Sequence, residues 1–389
     1  MIAASYPTTL DRRGIVMLAL GHLLNDVNQG AVSALLPFLV AQRDLSYTAA
    51  SGIVLAATLI SGLLQPLLGI ISDRRPLPWL IPLGMFLGGF GIALAGLVPD
   101  YGFIIASVII SGAGVAAFHP ESYRFANYVS RQQRGRGMSI FNVGGNLGFA
   151  LGPALITTAV LWLGLAGTWV MALPATIYAL LLWRELPRFN HFRPANRSGK
   201  TATADATTDW SAFIRLTIVI VLRTALYYGL LAFVPAYLIK VRGLPIVEAN
   251  SHLTLISIAG AIGTLLAGAM SDRFGRKRIL VTALAVLPIL MIIFLNTNGF
   301  ISSVILALAG MATAAAFTVG IVMGQEYAAA NLGVASGVTT GAAIGLGGLA
   351  SPLLGRVADV SGLPTVLLIL TMLPVIALVI AITLPKPNK

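Results

Sequence analysis

The sequence has 389 residues, 57% of them hydrophobic and only 10% charged, and 25 Lys and Arg against 13 Asp and Glu give a net charge of +12. An ordinary soluble domain carries roughly 25% charged residues, so a water-soluble globule is excluded. The basic residues sit in short gaps between apolar runs and form no continuous face for nucleic acid. The absence of Cys excludes disulfides, thiolate metal sites and cysteine nucleophiles.

Roughly 20 apolar residues span a hydrocarbon core, and backbone groups there must be satisfied within the segment, so long apolar runs are predicted as helices. Arg12 and Arg13 precede the first run, from about Gly14 to about Val40. That run is too long for the apolar region of a signal peptide, and no small-residue cleavage site follows it. Further helices are predicted to begin near Thr48, Leu77, Gly102, Gly137, Gly167, Ser211, Glu248, Ile279, Ile301, Val334 and Thr365. The fold class expected is therefore an all-α membrane protein of about twelve transmembrane helices.

Lys and Arg concentrate in cytoplasmic loops. Arg12, Arg13, Arg74, Arg75, Arg131, Arg134, Arg136, Arg184, Arg188, Arg193, Arg197, Lys200, Arg273, Arg276, Lys277, Arg278, Lys386 and Lys389 fall on one face of this arrangement, and only Arg43, Lys240, Arg242 and Arg356 on the other. Both termini are expected in the cytoplasm, the protein lying in a bacterial inner membrane. The Pro-containing polar stretch 185–210 reads as a cytoplasmic linker between six-helix halves at 1–184 and 211–389. An offset of 199 superposes Gly69 on Gly268, Asp73 on Asp272, Phe118 on Phe317, Gly148 on Gly347 and Pro153 on Pro352 without gaps. Two parallel halves are the repeat of a transporter that rocks about a midplane site.

Charged side chains inside a bilayer cost roughly 2.5 to 3.5 kcal/mol on insertion scales, so each one needs a reason. His22 and Asp26 fall on the first helix, His119, Glu121 and Arg124 on the fourth, Arg223 on the seventh and Glu326 on the tenth, the first helices of successive three-helix units. They imply a common water-accessible cavity. Asp26, mid-span and one turn from His22, is suited to bind and release a proton, or makes a structural contact with Asn25, Asn28 or Gln29. Glu121 and Arg124 are spaced to pair, either as a switchable ion pair that frees Arg124 for an anionic substrate or as a permanent bridge. His119 is a further proton carrier or an interior hydrogen-bonding group. Glu326, beside Gln325, reads as a proton site or an interfacial residue. Arg223 is expected to attract an anionic substrate or to act as counter-ion to Asp26, with Tyr227 on the same wall. Asn25, Gln29, Asn142 and Asn146 are further candidates for binding substrate. No ligand spacing supports a metal, and no cofactor is expected. The Gly144 to Pro153 and Gly341 to Pro352 runs allow close backbone approach, for rocking or for static packing.

The run Gly268-Ala269-Met270-Ser271-Asp272-Arg273-Phe274-Gly275-Arg276-Lys277, with a shortened copy at Gly69 to Arg74, resembles the signature loop of the major facilitator superfamily. The resemblance implies a conformational latch involving Gly268, Asp272, Arg273, Gly275, Arg276, Asp73 and Arg74, although Arg75-Pro76 departs from the pattern in the first copy. His22-Leu23-Leu24-Asn25-Asp26, Phe118-His119-Pro120-Glu121 with Arg124, Ser139-Ile140-Phe141 followed by Val143-Gly144-Gly145-Asn146, and Gln325-Glu326 are similar to the fosmidomycin-resistance branch of that superfamily. This implies the major facilitator fold and a proton-coupled antiporter that exports a small drug or metabolite by alternating access, as a monomer whose partners are its substrate, protons and lipid, with no nucleic acid. Proton-coupled uptake of a small anionic metabolite is the alternative. A membrane-embedded enzyme is the third reading, but no nucleophile or metal constellation accompanies His119 and Glu121. ATP drive is not expected, since Gly199-Lys200-Thr201 lacks the earlier glycine of a phosphate loop.

Overall fold

A computed structural model describes residues 10–74, 77–130, 133–191, 208–329, 335 and 337–386, and the described chain is helical throughout, with no strand. The N-terminal half comprises α1 (Arg12–Arg43), α2 (Tyr47–Arg74), α3 (Leu80–Leu97), α4 (Tyr101–Ser130), α5 (Arg134–Leu163) and α6 (Ala172–His191), which a short 3-10 turn (Leu165–Met171) introduces. The C-terminal half follows with α7 (Trp210–Lys240), α8 (Ile246–Phe274), α9 (Arg276–Asn296) and α10 (Gly299–Tyr327). Its fifth helix is assembled from a π-helical turn (Gly337–Ala342), α11 (Ala343–Gly348) and α12 (Ala350–Ser361), and its sixth is α13 (Leu363–Ile382). Helix starts fall within a few residues of the sequence expectation, because each coincides with a polar or Gly/Pro break. The sixth helix continues to His191, so residues 185–191 are helical.

Among the described residues, ten helical segments are long and apolar enough to cross a membrane. α1 is not among them because His22, Asn25, Asp26, Asn28 and Gln29 dilute its apolar stretch, and the eleventh membrane helix is not because it is broken into pieces. Side-chain caps stand at several starts, among them Asp11, which accepts the Gly14 amide at 3.2 Å at α1, and Asp209, which accepts the Ala212 amide at 2.9 Å at α7. The turn between α8 and α9 is Gly275, whose φ of 91° favours glycine.

Within the N-terminal half, α5 lies directly on α1. A Cβ at Gly144, Gly148 or Gly152 would sit 2.1 Å from Ala19 O, 2.0 Å from Leu23 O and 2.4 Å from Val27 O, so one glycine per turn meets one carbonyl per turn. In the other half Gly347 meets Thr224 and Ala225 of α7 in the same way, so the fifth helix packs on the first in both. The glycines of α5 thus make close contacts inside one half. Those of the eleventh helix differ: Gly341 approaches Gly62, Gly348 approaches Thr58 and Gly355 approaches Ser51, all on α2 across the boundary between halves. α5 and α8 form the second contact between halves.

Candidate functional site

The buried ionisable groups converge where α1 crosses α4. His22 and Asp26, one turn apart on α1, bring Nε2 and Oδ2 to 3.2 Å, and His119 on α4 places its Nε2 3.4 Å from Asp26 Oδ1. Asn25 Nδ2 and Gln29 Nε2 donate to the same Oδ1 at 3.2 and 3.0 Å. The far sides of both imidazoles are occupied: His22 Nδ1 lies 2.9 Å from Phe141 O and His119 Nδ1 lies 2.8 Å from Val115 O. A carbonyl only accepts, so both Nδ1 atoms carry hydrogens. Each Nε2···O contact with Asp26 then needs a proton, carried by Nε2 or by the Asp26 carboxyl. One ligand atom from each of the three side chains lies within 4.8 Å of the others, a separation that could hold a metal ion. The His22 ring is stacked on Phe141 at 4.2 Å, and Tyr123 stands 5.7 Å from His22 and 6.1 Å from His119.

Gly145 closes the cluster from α5. A Cβ there would lie 2.5 Å from His22 Cε1 and Nε2 and 2.9 Å from Asp26 Oδ2. In the sequence this glycine reads only as part of a packing run. Asn142 is exposed and Asn146 half-buried on the same helix.

Arg223 is the buried cation of α7 in the other half. It is 6% exposed, donates from Nε to Thr313 O at 2.7 Å, and has its guanidinium 4.9 Å from the Tyr227 ring centre and 4.6 Å from that of Phe317. Among the described residues no carboxylate lies within ion-pair distance, so Asp26 is not its counter-ion. Phe317 and Phe118 are the pair matched by the 199-residue offset, and Phe118 stands 6.2 Å from His22. The two halves have placed equivalent rings beside basic side chains. Tyr227 packs on Phe149 across the halves at 6.2 Å. A cavity of about 60 Å³, lined by Gln29, Ser33, Thr58, Ser61, Phe149 and Tyr228 among others, lies between them. Drug-sized ligands need roughly 300 Å³ or more, so the cavity must widen to take one.

Of the predicted site residues only Gln29 lines this cavity. Glu121 is fully buried and accepts the Leu77 amide at 2.7 Å, its Oε1 3.9 Å from Arg124 Nη1, while Arg124 donates to Ser72 O at the end of α2. The pairing read from spacing is present, but both partners also hold the connection between α2 and α3. In the second half Glu326 pairs with Arg276, tying the connection between α8 and α9 to the fourth helix of its own half. Arg273 lies over the Phe274 ring at 5.2 Å, and Gly268 has open space where a Cβ would be. The side chains of Asp272, Asp73 and Arg74 lie outside the described residues.

The sequence model described as Major Facilitator Superfamily matches residues 18–352 and 246–389. The chain belongs to that superfamily. Its sequence is 30% identical over 370 residues to the fosmidomycin resistance protein of Escherichia coli (strain K12), covering 93% of this chain and 90% of that protein. It is 29% identical to the uncharacterized MFS-type transporter YfnC of Bacillus subtilis (strain 168), covering 96% and 93%. A bacterial homologue of the human lysosomal transporter Spinster, solved in an inward-facing, occupied conformation, superposes with a TM-score of 0.77 at 16% identity over 95% of each chain, a likeness of fold. The protein is thus a multi-pass membrane transporter with the major facilitator fold, in the branch that resembles the fosmidomycin resistance protein, and the members of this family are transporters, not enzymes.

Proposed function

We propose that this transporter is a proton-coupled antiporter exporting a small, fosmidomycin-like drug or metabolite across a bacterial inner membrane, as a monomer with both termini in the cytoplasm. One observation carries the coupling: His22 and His119 have both Nδ1 atoms committed to carbonyls, so each contact with Asp26 requires a proton on Nε2 or on the Asp26 carboxyl. When the cluster loses protons, an imidazole lone pair faces a carboxylate oxygen and the arrangement repels. Proton occupancy therefore biases the position of α4 against α1, and the bias favours one side of an alternating-access cycle. Glu121, whose Oε2 is buried without a hydrogen-bond partner among the described residues, is the second proton candidate. Glu326 is the third.

Arg223 supports a substrate with an anionic group, because a buried guanidinium backed by two rings and no carboxylate gains most from an anion. The same residue favours the second reading, uptake of a small anionic metabolite with protons. Substrate-induced proton movement in proteoliposomes, with fosmidomycin and several cationic and neutral drugs, separates the possibilities. Coupled movement in wild type and its loss in Asp26→Asn is expected. A mutant that still couples would transfer the role to Glu121, and accumulation driven by inward protons would establish uptake.

A further inference from the structure

At the end of the molecule opposite the arginine-rich connections, α12 of the C-terminal half meets the start of α2 of the N-terminal half. Asp359 reaches across the boundary: Oδ1 accepts the Tyr47 amide at 2.8 Å, and Oδ2 accepts the Thr48 amide at 2.9 Å and the Thr48 hydroxyl at 2.5 Å. Tyr47 and Thr48 are the first two residues of α2, whose amides have no partner within their own helix. The next two amides are satisfied locally, Ala49 by Ser46 Oγ at 3.1 Å and Ala50 by Ser46 O at 2.9 Å. The first turn of α2 contains no acidic residue. Half of its N-terminal cap, and the negative charge that a helix start favours, therefore come from the other half of the protein.

The approach that allows this is one turn away. A Cβ on Gly355 would fall 2.2 Å from Ser51 Oγ and 2.6 Å from Tyr47 O, so only glycine lets α12 lie this close to α2. Deeper along the same boundary Asn250 of α8, 2% exposed, donates to Ala34 O of α1 at 3.0 Å and Thr157 Oγ1 of α5 at 2.8 Å. Among the described residues, the hydrogen bonds that cross between halves are those of Asp359 and Asn250. The ion pairs of Glu121 and Glu326 at the opposite end each stay within one half.

We infer that Asp359 and Gly355 form a clamp that selects the conformation closed at this end. Rocking the halves apart here leaves α2 with its Ser46 cap but removes both Asp359 bonds and the charge that accompanies them. The clamp is made in one state of the cycle and broken in the other, and it acts independently of which substrate is carried or how protons are coupled.

The chain has no Cys, so a single introduced thiol is a unique reporter. Ala232 is 6% exposed and lines the apolar cavity at this end with Leu36, Pro37, Ala50 and Phe233. In an Ala232→Cys background, labelling by a water-soluble maleimide is expected to accelerate about fivefold or more with Asp359→Ala, the ratio that losing a cap of about 1 kcal/mol gives. Gly355→Leu, which props the helices apart by volume, is expected to do the same. Asp100→Ala is the control, since Asp100 accepts the Gly102 amide at 2.8 Å within its own half, and labelling should not change. Unchanged labelling in Asp359→Ala, whether or not Gly355→Leu accelerates it, overturns the clamp. Equal acceleration by Asp100→Ala also overturns it, as general loosening.

Discussion

Replacing Gly145 with Ala tests the cluster without removing any of its charged groups. The added Cβ would meet His22 Cε1 and Nε2 at 2.5 Å and Asp26 Oδ2 at 2.9 Å. Ordinary carbon contacts begin near 3.5 Å, so the ring must retreat by about 1 Å. It is held on its other side by stacking on Phe141 at 4.2 Å and by the Nδ1 bond to Phe141 O at 2.9 Å. A retreat of that size from α5 is expected to lengthen the 3.2 Å contact with Asp26 past the roughly 3.5 Å at which a hydrogen bond ceases to count. Overpacking costs about 1–3 kcal/mol, and a hydrogen bond to a charged group contributes about 1.5–3 kcal/mol. Substrate-driven proton movement in proteoliposomes should fall by about tenfold or more, since 1.4 kcal/mol is a factor of ten. The midpoint of thermal unfolding should drop by a few degrees. Gly260→Ala, where a Cβ makes only ordinary contacts at 3.5 Å with Ala314 and 3.6 Å with Gly310 O, should change neither. A Gly145→Ala protein that couples and unfolds like wild type would refute the packing argument.

Two further substitutions separate anchoring from binding. Glu121→Ala removes the acceptor of the buried Leu77 amide and should destabilise the protein by about 1–3 kcal/mol, visible as a lower unfolding midpoint that Glu121→Gln largely restores. Arg223→Gln should weaken transport of an anionic compound, read as at least a tenfold rise in the half-saturation concentration for fosmidomycin. Arg223→Lys should recover only part of it, because an ammonium cannot reproduce the planar contact between Tyr227 and Phe317.

Part of this site was legible along the chain. His22 and Asp26 are separated by one helical turn, so their contact follows from helix geometry, as does the approach of Glu121 to Arg124. The rest depends on partners far apart in sequence. His119 joins Asp26 across 93 positions, Glu121 takes the amide of Leu77, and Arg276 takes Glu326. Arg223 reads from the sequence as a possible counter-ion to Asp26, whereas the structure gives it a carbonyl and two aromatic faces. The offset match of Phe118 and Phe317 was a signal for those rings, but nothing along the chain says what each ring would stand beside.

Membrane class, the positions of the helices and the repeat of the two halves are properties of one dimension. Hydrocarbon thickness sets a minimum apolar length, and a duplicated pattern survives as a constant offset, so composition and spacing determine them. Which faces meet is a matter of rotation and tilt, and apolar runs against lipid do not encode those. Backbone contact decides them: Gly144, Gly148 and Gly152 bring α5 against the carbonyls of α1, and that register alone places Gly145 beside His22 and Asp26.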